Sequence, residues 1–187
     1  MCIRDRHLDI WYKGKNVLRD SGTYKYNTDQ KYINHFNGTQ AHNTVGIAQK
    51  DQMKKGPRFI WLNWSKALSN QLRDEEEAYI YEGEASVYKQ LADNIVHRRT
   101  VKKIKGESTW EVLDTIDHQT DHVINQYWNP SPEFEKLFII EAEDEDGPIK
   151  MKKLPSWHSP LYGQLEEAQT ICFTSKHNKI KTRIRLR

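Results

Sequence analysis

Cysteine is scarce in this chain of 187 residues, which contains only Cys2 and Cys172. Two cysteines imply no disulfide framework, and they leave the redox compartment undecided. No stretch approaches the run of about 18 apolar residues that spans a bilayer, so we predict no membrane span. No secretory signal peptide is visible at the N-terminus.

Charge of one sign is also scarce, because 29 Lys and Arg residues nearly balance 26 Asp and Glu residues. The net charge of +3 gives a mild preference for anionic partners, and it is far from the dense basic surface of a nucleic-acid binder. Large aromatic residues, by contrast, are abundant, with six Trp and nine Tyr. Such side chains are typical of a β-rich core and of surfaces that stack on sugar rings.

The first six residues, MCIRDR, match the translation of a transposase adaptor used in preparing DNA for sequencing. We therefore predict that residues 1–6 are not part of the natural protein, and we assign one domain to residues 7–187. On this interpretation the natural chain continues upstream, and the lack of a visible signal peptide carries no information. A natural start at Met1 is the alternative.

Short segments of alternating polar and apolar residues dominate the chain, and no segment predicts a long amphipathic helix. Residues 7–12 alternate, with Leu8, Ile10 and Tyr12 on one face of a predicted strand. Turn residues separate such segments at fairly regular spacing, which predicts an all-β antiparallel sandwich or barrel. Further strands are predicted at 17–20, 44–48, 58–64, 77–81, 85–90, 95–104, 109–116, 122–127, 136–141, 149–154, 170–174 and 179–186.

The first two strands form a predicted hairpin with its turn at residues 14–15. In that register Asp9 lies near Asp20 and His7 lies near Gly22, so two carboxylates and an imidazole share one patch. Opposed carboxylates are unfavourable unless a cation lies between them, so a buried patch predicts a metal ion, an arginine or a raised pKa. A solvated patch predicts no function.

His42 lies at the mouth of a predicted strand, in the sequence AHNTV that follows a glycine-containing loop. Such a histidine can bind a metal through one ring nitrogen, although a lone histidine is more often structural. His42 and Asp20 together provide two ligands, whereas a zinc site requires three or four.

Five sequence blocks resemble the C-terminal domain of the heparinase II/III-like family. They are HLDIWYKGKNVLRDSGTYKYN, GTQAHNTVGI, DQM, RFIWLNW and HRRTV, and they extend over more than half of the chain. The resemblance implies an antiparallel β-sandwich of the supersandwich type, preceded in the family by an (α/α) toroid that is missing here. It also implies an active site between the two domains, acidic polysaccharides such as heparan sulfate or alginate as substrates, and a periplasmic or secreted location.

The sandwich of this family binds a metal, usually zinc, through a His, an Asp and a second His. Asp20 in VLRDSG corresponds to the Asp, and His42 corresponds to the second His. The first His of the family falls within the adaptor-like residues CIR, so we expect one ligand to be missing and the zinc to be structural. His7 corresponds to a later His, whose role is either to line the cleft or to orient the hairpin.

The reaction implied by the resemblance is β-elimination, in which a base removes the proton beside a uronate carboxylate and an acid protonates the leaving oxygen. The carboxylate must be neutralised for this step. We predict Tyr24 and His7 as catalytic residues, with several others supplied by the toroid. Tyr24 directly follows the Asp20 turn, and Tyr26 and Tyr32 are alternatives; packing within the sheet is the simpler interpretation for each tyrosine.

Three further residues, Asp9, Trp11 and Arg98, are predicted to bind substrate. Asp9 and Trp11 lie on the same strand face as His7, and Arg98 offers a guanidinium to a sulfate or a carboxylate. A solvated strand position is the alternative for Arg98. Residues 58–64 also alternate, with Phe59 and Trp61 on one face and Ile60, Leu62 and Trp64 on the other. One of these faces is predicted to lie in the core. The other is predicted to pack in the core or against the toroid, with a sugar-binding subsite as the alternative.

We therefore predict a polysaccharide lyase fragment that is inactive on its own, with the missing toroid and an acidic polysaccharide as partners. A non-catalytic carbohydrate-binding sandwich is an alternative that the aromatic content allows. A partner in exopolysaccharide assembly that retained the lyase fold is a third interpretation, and fold alone does not decide among them.

Overall fold

The computed structural model describes residues 6–57, 60–117 and 122–187. Within these ranges the chain forms fifteen strands, the helices α1 (Gln30–Asn37) and α2 (Phe134–Leu137), and a 3₁₀ turn at Thr39–Ala41. Neither helix of the described ranges is long and apolar enough to cross a membrane. The strands are β1 (Ile10–Tyr12), β2 (Lys15–Leu18), β3 (Val45–Ile47), β4 (Lys54–Lys55), β5 (Trp61–Leu62), β6 (Lys66–Asp74), β7 (Ala78–Ser86), β8 (Val96–Ile104), β9 (Thr109–Asp117), β10 (Ile124–Trp128), β11 (Phe138–Asp144), β12 (Gly147–Pro148), β13 (Lys152–His158), β14 (Glu166–Ser175) and β15 (Lys179–Leu186).

Two antiparallel sheets form the body of the domain. One has seven strands in the order β12-β11-β15-β9-β8-β7-β6, and the other has four strands in the order β13-β14-β10-β3. Apolar side chains of both sheets meet in one core, which confirms the predicted antiparallel β-sandwich. The core residues include Val112, Ile116 and Ile184 from the large sheet, and Ile124, Trp128 and Phe173 from the small sheet.

Most predicted strands are present, although some of their bounds differ. Residues 78–81 of one predicted segment and residues 85–86 of the next belong to one continuous strand, β7, which runs through Gly83, whereas the predicted strand residues 87–90 lie outside it. A Cβ on Gly83 would lie 2.5 Å from the Tyr81 hydroxyl and 3.0 Å from the Arg6 guanidinium, so this glycine marks a close approach and not a turn. Of the segment predicted at 58–64, Arg58 and Phe59 lie outside the described residues, and Trp61–Leu62 form the short strand β5.

Strand β6 was not predicted, and its position at the edge of the large sheet explains why. Eight of its nine residues are exposed and only Arg73 is half-buried, so the sequence shows no alternation between a core face and a solvent face. The acidic residues that follow it form the turn to β7, as expected of a solvated run.

The predicted turn of the first hairpin is displaced by one residue, which shifts the strand partner by two residues at Trp11 and by one at Ile10. The turn is formed by Lys13 and Gly14, which have positive φ angles of 47° and 77°, as a two-residue type I′ turn requires. Trp11 pairs with Asn16, but Ile10 pairs with Leu18, because a bulge interrupts the ladder between them. The paired residues of this hairpin end at Ile10 and Leu18, so neither Asp9 and Asp20 nor His7 and Gly22 pair as predicted, and a ligand atom of His7 lies within 4.8 Å of one of Asp20.

Candidate functional site

Three metal-ligand side chains meet beside the first hairpin. His7 precedes β1, Asp20 follows β2, and His42 ends the 3₁₀ turn, and each offers one ligand atom within 4.8 Å of the others. The His42 side chain is buried at 1% exposure, whereas those of His7 and Asp20 are 16% and 28% exposed. We call these three residues the metal triad. Because His42 is buried while His7 and Asp20 are partly exposed, the triad is buried on one side and open to solvent on the other.

Two hydrogen bonds determine the tautomer of His7. The backbone N–H of Asn43 donates to Nδ1 at 3.0 Å, so Nδ1 must carry the lone pair. The proton then lies on Nε2, which is 3.0 Å from Oδ1 of Asp9. This carboxylate–histidine contact is the kind of outer interaction that orients a metal-binding imidazole. A metal that binds the lone pair of His7 at Nδ1 therefore replaces the Asn43 N–H and leaves the contact with Asp9 in place.

Both oxygens of the Asp20 carboxylate are held in place. Oδ1 accepts the Gly22 N–H at 2.7 Å, and Oδ2 lies 3.2 Å from Nδ1 of His42. Residues 20–22 are in turn tied to the loop after β13, since the Ser159 N–H donates to the Ser21 carbonyl at 2.7 Å. The Asp20 side chain is therefore presented to the histidines by a loop with little freedom.

A buried ion pair lies behind the metal triad. Arg99 on β8 is 1% exposed and donates from Nε and Nη2 to the two oxygens of Asp114 on β9, each at 2.7 Å. His97 and Gln126 also contact this carboxylate, each at 2.7 Å. Burial alone would raise the pKa of Asp114, but the charge and hydrogen bonds of Arg99 outweigh it and hold that pKa well below its ordinary value. Asp114 is therefore ionised at neutral pH.

His158 at the end of β13 was not predicted as a site residue, yet it lies beside the metal triad. Burial lowers its pKa, the charge of Arg19 lowers it further, and Glu166 and Asp20 oppose the shift. Its Nδ1 is 3.4 Å from the Glu166 carboxylate. Arg19 and Glu166 also line a surface groove of about 430 Å³ together with Gln169. Nothing in the local sequence around His158 indicates this position, which depends on the order of the strands.

The other predicted site residues lie in different surroundings. Asp9 contacts His7, as described, and the neighbouring Trp11 is 62% exposed on β1. Tyr24 packs edge-on against Tyr32, with ring centroids 5.4 Å apart, and lies next to Phe36. This aromatic cluster joins α1 to β13, because Tyr32 also packs against Trp157. The observed contacts of Tyr24 are therefore those of a packed aromatic side chain.

Arg98 lies on the solvent face of the large sheet. It is 50% exposed and forms ion pairs with Glu84 at 2.7 Å and Asp117 at 3.0 Å. Its neighbour Arg99 points to the opposite face and reaches Asn43, as successive residues of a strand do. Arg98 is therefore separated from the metal triad by the thickness of the sheet.

A second group of metal-ligand side chains, at the turns after β11 and β14, has a different character. Asp146 is 85% exposed and lies 2.9 Å from Nε2 of His177, and Asp144 accepts a hydrogen bond from Ser175 at 2.5 Å. These contacts form a solvated ion-paired turn and require no metal.

The donor set of the metal triad suits zinc. Two imidazoles and one carboxylate are ligands that zinc accepts, and three protein ligands leave a position for a fourth. The burial of His42, the contact of His7 with Asp9 and the hydrogen bond to Asp20 provide the preorganisation that such a site needs. The residues present therefore fit a zinc ion without further protein ligands.

Comparisons with known proteins agree with this description. A family model described as Heparinase II/III-like, C-terminal, matches residues 7–187. A curated heparin-sulfate lyase from Bacteroides stercoris is 24% identical over 186 residues, which cover 90% of this chain and 26% of that protein.

Two solved structures of a heparinase III gene product, the second with methylated lysines, have TM-scores of 0.76 and 0.74 at 20% and 21% identity. The matches cover 98% and 96% of this chain, but only 30% and 29% of those chains. The similarity at this identity establishes the fold. The chain spans less than a third of the length of these relatives.

Proposed function

Because this chain belongs to the heparinase II/III-like family through its C-terminal domain, we propose that it is the sandwich part of a polysaccharide lyase. Its substrates would be uronate-containing acidic polysaccharides, and the reaction would be β-elimination. The observation that carries this proposal is the meeting of His7, Asp20 and His42 in a chain of this family. A polymer of this kind lies outside the cytoplasm, which favours a periplasmic or secreted enzyme.

We propose that His7, Asp20 and His42 bind one zinc ion. The proximity of His7 supports it as the third ligand, so the site does not need the upstream histidine that the resemblance implies. A bound zinc would act structurally, by joining the first hairpin to the His42 loop and fixing that wall of the cleft. His7 would then have no free lone pair with which to transfer a proton, so we reassign it from catalysis to metal binding.

The proposed reaction needs a cation that neutralises the uronate carboxylate, and the arginines discussed above are already paired with acids. Glu166 and Glu133 act on Arg19, Glu84 and Asp117 pair with Arg98, and Asp114 pairs with Arg99. We therefore propose that the neutralising group comes from a preceding toroid domain, and that the isolated sandwich is inactive.

Tyr24 remains our proposed proton-transferring residue on this side of the cleft. Its φ of 61° lies in the left-handed region, where a non-glycine residue is strained, and such strain is found frequently at functional sites. Its side chain is half-buried. Asp9 and Trp11 remain proposed substrate contacts, whereas the ion pairs of Arg98 on the other face argue against that role.

The lyase proposal is tested by recovering the genomic sequence upstream of codon 7 and assaying the whole protein on heparan sulfate and alginate. We expect absorbance from the unsaturated uronate product, and no activity from the 187-residue chain alone. Tyr24→Phe should lower kcat by about 10²-fold or more, as expected for a lost proton-transfer group. Tyr26→Phe is the matched control, because Tyr26 is 68% exposed in the same segment. A whole protein that cleaves no acidic polymer would refute the lyase proposal.

The zinc proposal is tested on the 187-residue chain by elemental analysis after dialysis against zinc. We expect about one zinc per chain, lost in His7→Ala, Asp20→Ala and His42→Ala. His177→Ala is the matched control, since it removes a histidine from the exposed acidic group. Zinc retained by His7→Ala, with loss in the other two variants, would reject His7 as a ligand.

A further inference from the structure

We propose that the buried Arg99–Asp114 pair is the device that positions the two histidines of the metal triad. The inference rests on the proposed zinc site for its consequence, but its geometry can be tested without a metal. Arg99 is a positioning residue in this proposal, because it acts on the histidines through the backbone and touches neither ring.

The guanidinium of Arg99 has one nitrogen left after the fork with Asp114. That nitrogen, Nη1, donates to the Asn43 carbonyl at 2.6 Å and also to the Arg6 carbonyl. Asn43 directly follows His42, and Arg6 directly precedes His7 and contributes only its backbone carbonyl, a group that any residue at that position provides. One side chain on the large sheet therefore holds a backbone carbonyl next to each histidine of the triad.

Asn43 completes the connection between the two histidine segments. Its N–H donates to Nδ1 of His7 at 3.0 Å, and its side-chain amide donates to the Leu8 carbonyl at 2.8 Å. Its side-chain oxygen accepts the N–H of Asn129, the residue after β10, at 2.6 Å. Asn43 is 0% exposed, so each of these polar groups depends on its protein partner. Displacing the Asn43 carbonyl would therefore also displace the donor that determines the His7 tautomer.

Only arginine has the fork that this arrangement requires. Its planar guanidinium binds both carboxylate oxygens of Asp114 and still directs a third nitrogen to the two carbonyls. Lysine keeps the positive charge but has a single ammonium, which cannot hold the carboxylate in two contacts and also reach both carbonyls. A buried ion pair is also weak support for stability, because desolvation offsets most of the attraction between the charges. A positioning role explains why a buried pair is present where apolar residues could fill the core.

The first test compares Arg99→Lys with the wild-type chain for zinc affinity, measured by competition with a chromophoric chelator. We expect the affinity to fall by about 10- to 100-fold, the usual effect of losing a group that orients a metal ligand. Ile184→Ala is the matched control, because Ile184 lies in the core of the same sheet and its truncation lowers stability without touching Asn43. An unchanged affinity in Arg99→Lys, or an equal loss in Ile184→Ala, would overturn the proposal.

The double variant Arg99→Met/Asp114→Leu tests the same idea if Arg99→Lys does not fold. Apolar residues of similar volume preserve stability at many buried ion pairs, so this variant separates positioning from folding. We expect a folded chain whose zinc affinity has fallen as in Arg99→Lys. Wild-type affinity in the folded double variant would overturn the positioning role.

A metal-free measurement separates failure of this inference from failure of the zinc proposal. Ring nitrogen chemical shifts report the tautomer of His7, and amide hydrogen exchange reports the protection of the Asn43 N–H. We expect one fixed tautomer and strong protection in the wild type, with both lost in Arg99→Lys and kept in Ile184→Ala. If the wild type shows this pattern but binds no zinc, the zinc proposal fails and the positioning role stands. If Arg99→Lys keeps the tautomer and the protection, the positioning role fails whether or not zinc binds.

Discussion

The Cβ position of Gly22, built on its backbone, lies 2.2 Å from the carbonyl oxygen of Ser159. No side chain fits in that space, and the φ of Gly22 is +90°, a conformation that residues other than glycine rarely adopt. Because Gly22 also donates its N–H to Asp20, the contact fixes how the Asp20 carboxylate faces the two histidines. The close approach to Ser159 and the positive φ therefore require a glycine at this position of the VLRDSG segment.

The first prediction concerns this contact. Gly22→Ala should lower the free energy of unfolding by at least about 3 kcal/mol, because a clash with backbone adds to the strain of the positive φ. It should also weaken zinc binding by moving Asp20. The measurements are urea unfolding and chelator competition.

Gly106→Ala is the matched control for this variant. Gly106 also has a positive φ, +74°, but nothing lies within 4 Å of its Cβ position. It should therefore lose only about 1–2 kcal/mol of stability and keep its zinc affinity. Equal losses in the two variants would show that the approach of Gly22 to Ser159 has no effect of its own.

The second prediction concerns Asp9, which accepts from Nε2 of His7. Asp9→Ala should lower zinc affinity by about 10-fold, since the carboxylate orients the imidazole and increases its basicity. Stability should change little, because the Asp9 side chain is 39% exposed. The measurement is chelator competition at fixed pH, with Asp29→Ala as a control that removes another exposed carboxylate. Unchanged affinity in Asp9→Ala would exclude its role as the orienting partner.

Much of the fold could be predicted because it depends on alternation. The strands with one buried face, such as β9 and β15, were predicted almost to their ends. β6 could not be predicted, since both of its faces are exposed and its sequence shows no alternation of polar and apolar residues. The hairpin register was missed because the turn lies at Lys13 and Gly14, one residue earlier than predicted, and because no local pattern reveals the bulge between Ile10 and Trp11.

The metal triad was predicted in part, whereas the residues that hold it in place were not predicted. Asp20 and His42 follow from the resemblance, whereas the resemblance gave His7 a role in the cleft or in the hairpin and not as a ligand. Asn43, Arg99 and Asp114 come together only through the order of the strands, so no spacing along the chain could reveal them. One signal was present for Arg99: it lies two residues before the buried Val101, which puts both side chains on the core face of β8.

The third prediction is a loss of stability as the pH falls below about 6.5, the ordinary pKa of histidine. Burial lowers the pKa of His35 and of His97, so in this range the unfolded chain binds protons that the folded chain does not. Stability therefore increases with pH below 6.5 and is lost on acidification. Urea unfolding at several pH values from 7.5 to about 5 measures this slope. His35→Gln should make the slope shallower; a slope equal to that of the wild type would contradict the assignment.

His177 provides a control of opposite sign. Its hydrogen bond to Asp146 raises its pKa, so the folded chain binds the proton more tightly than the unfolded chain does. That contribution is present below about 6.5 and is lost as the pH rises through the raised pKa. His177→Gln should therefore change the dependence of stability on pH above 6.5 and leave the slope below 6.5 intact.

The fourth prediction concerns the exposed edge of the large sheet. β6 is a nine-residue edge strand that pairs with β7 on one side, and it carries Leu72, which is 73% exposed, while the nearby Trp64 is 49% exposed. An edge of this length with apolar side chains favours pairing with another chain, so the isolated domain should associate at high concentration. Leu72→Lys should reduce that association, measured by light scattering, because a lysine on an edge strand opposes strand addition. Leu161→Lys is the matched control, since Leu161 is 64% exposed in the loop between β13 and β14 and belongs to no strand. Equal effects of the two lysines would point to net charge, whereas an effect of Leu72→Lys alone would identify β6 as the associating surface.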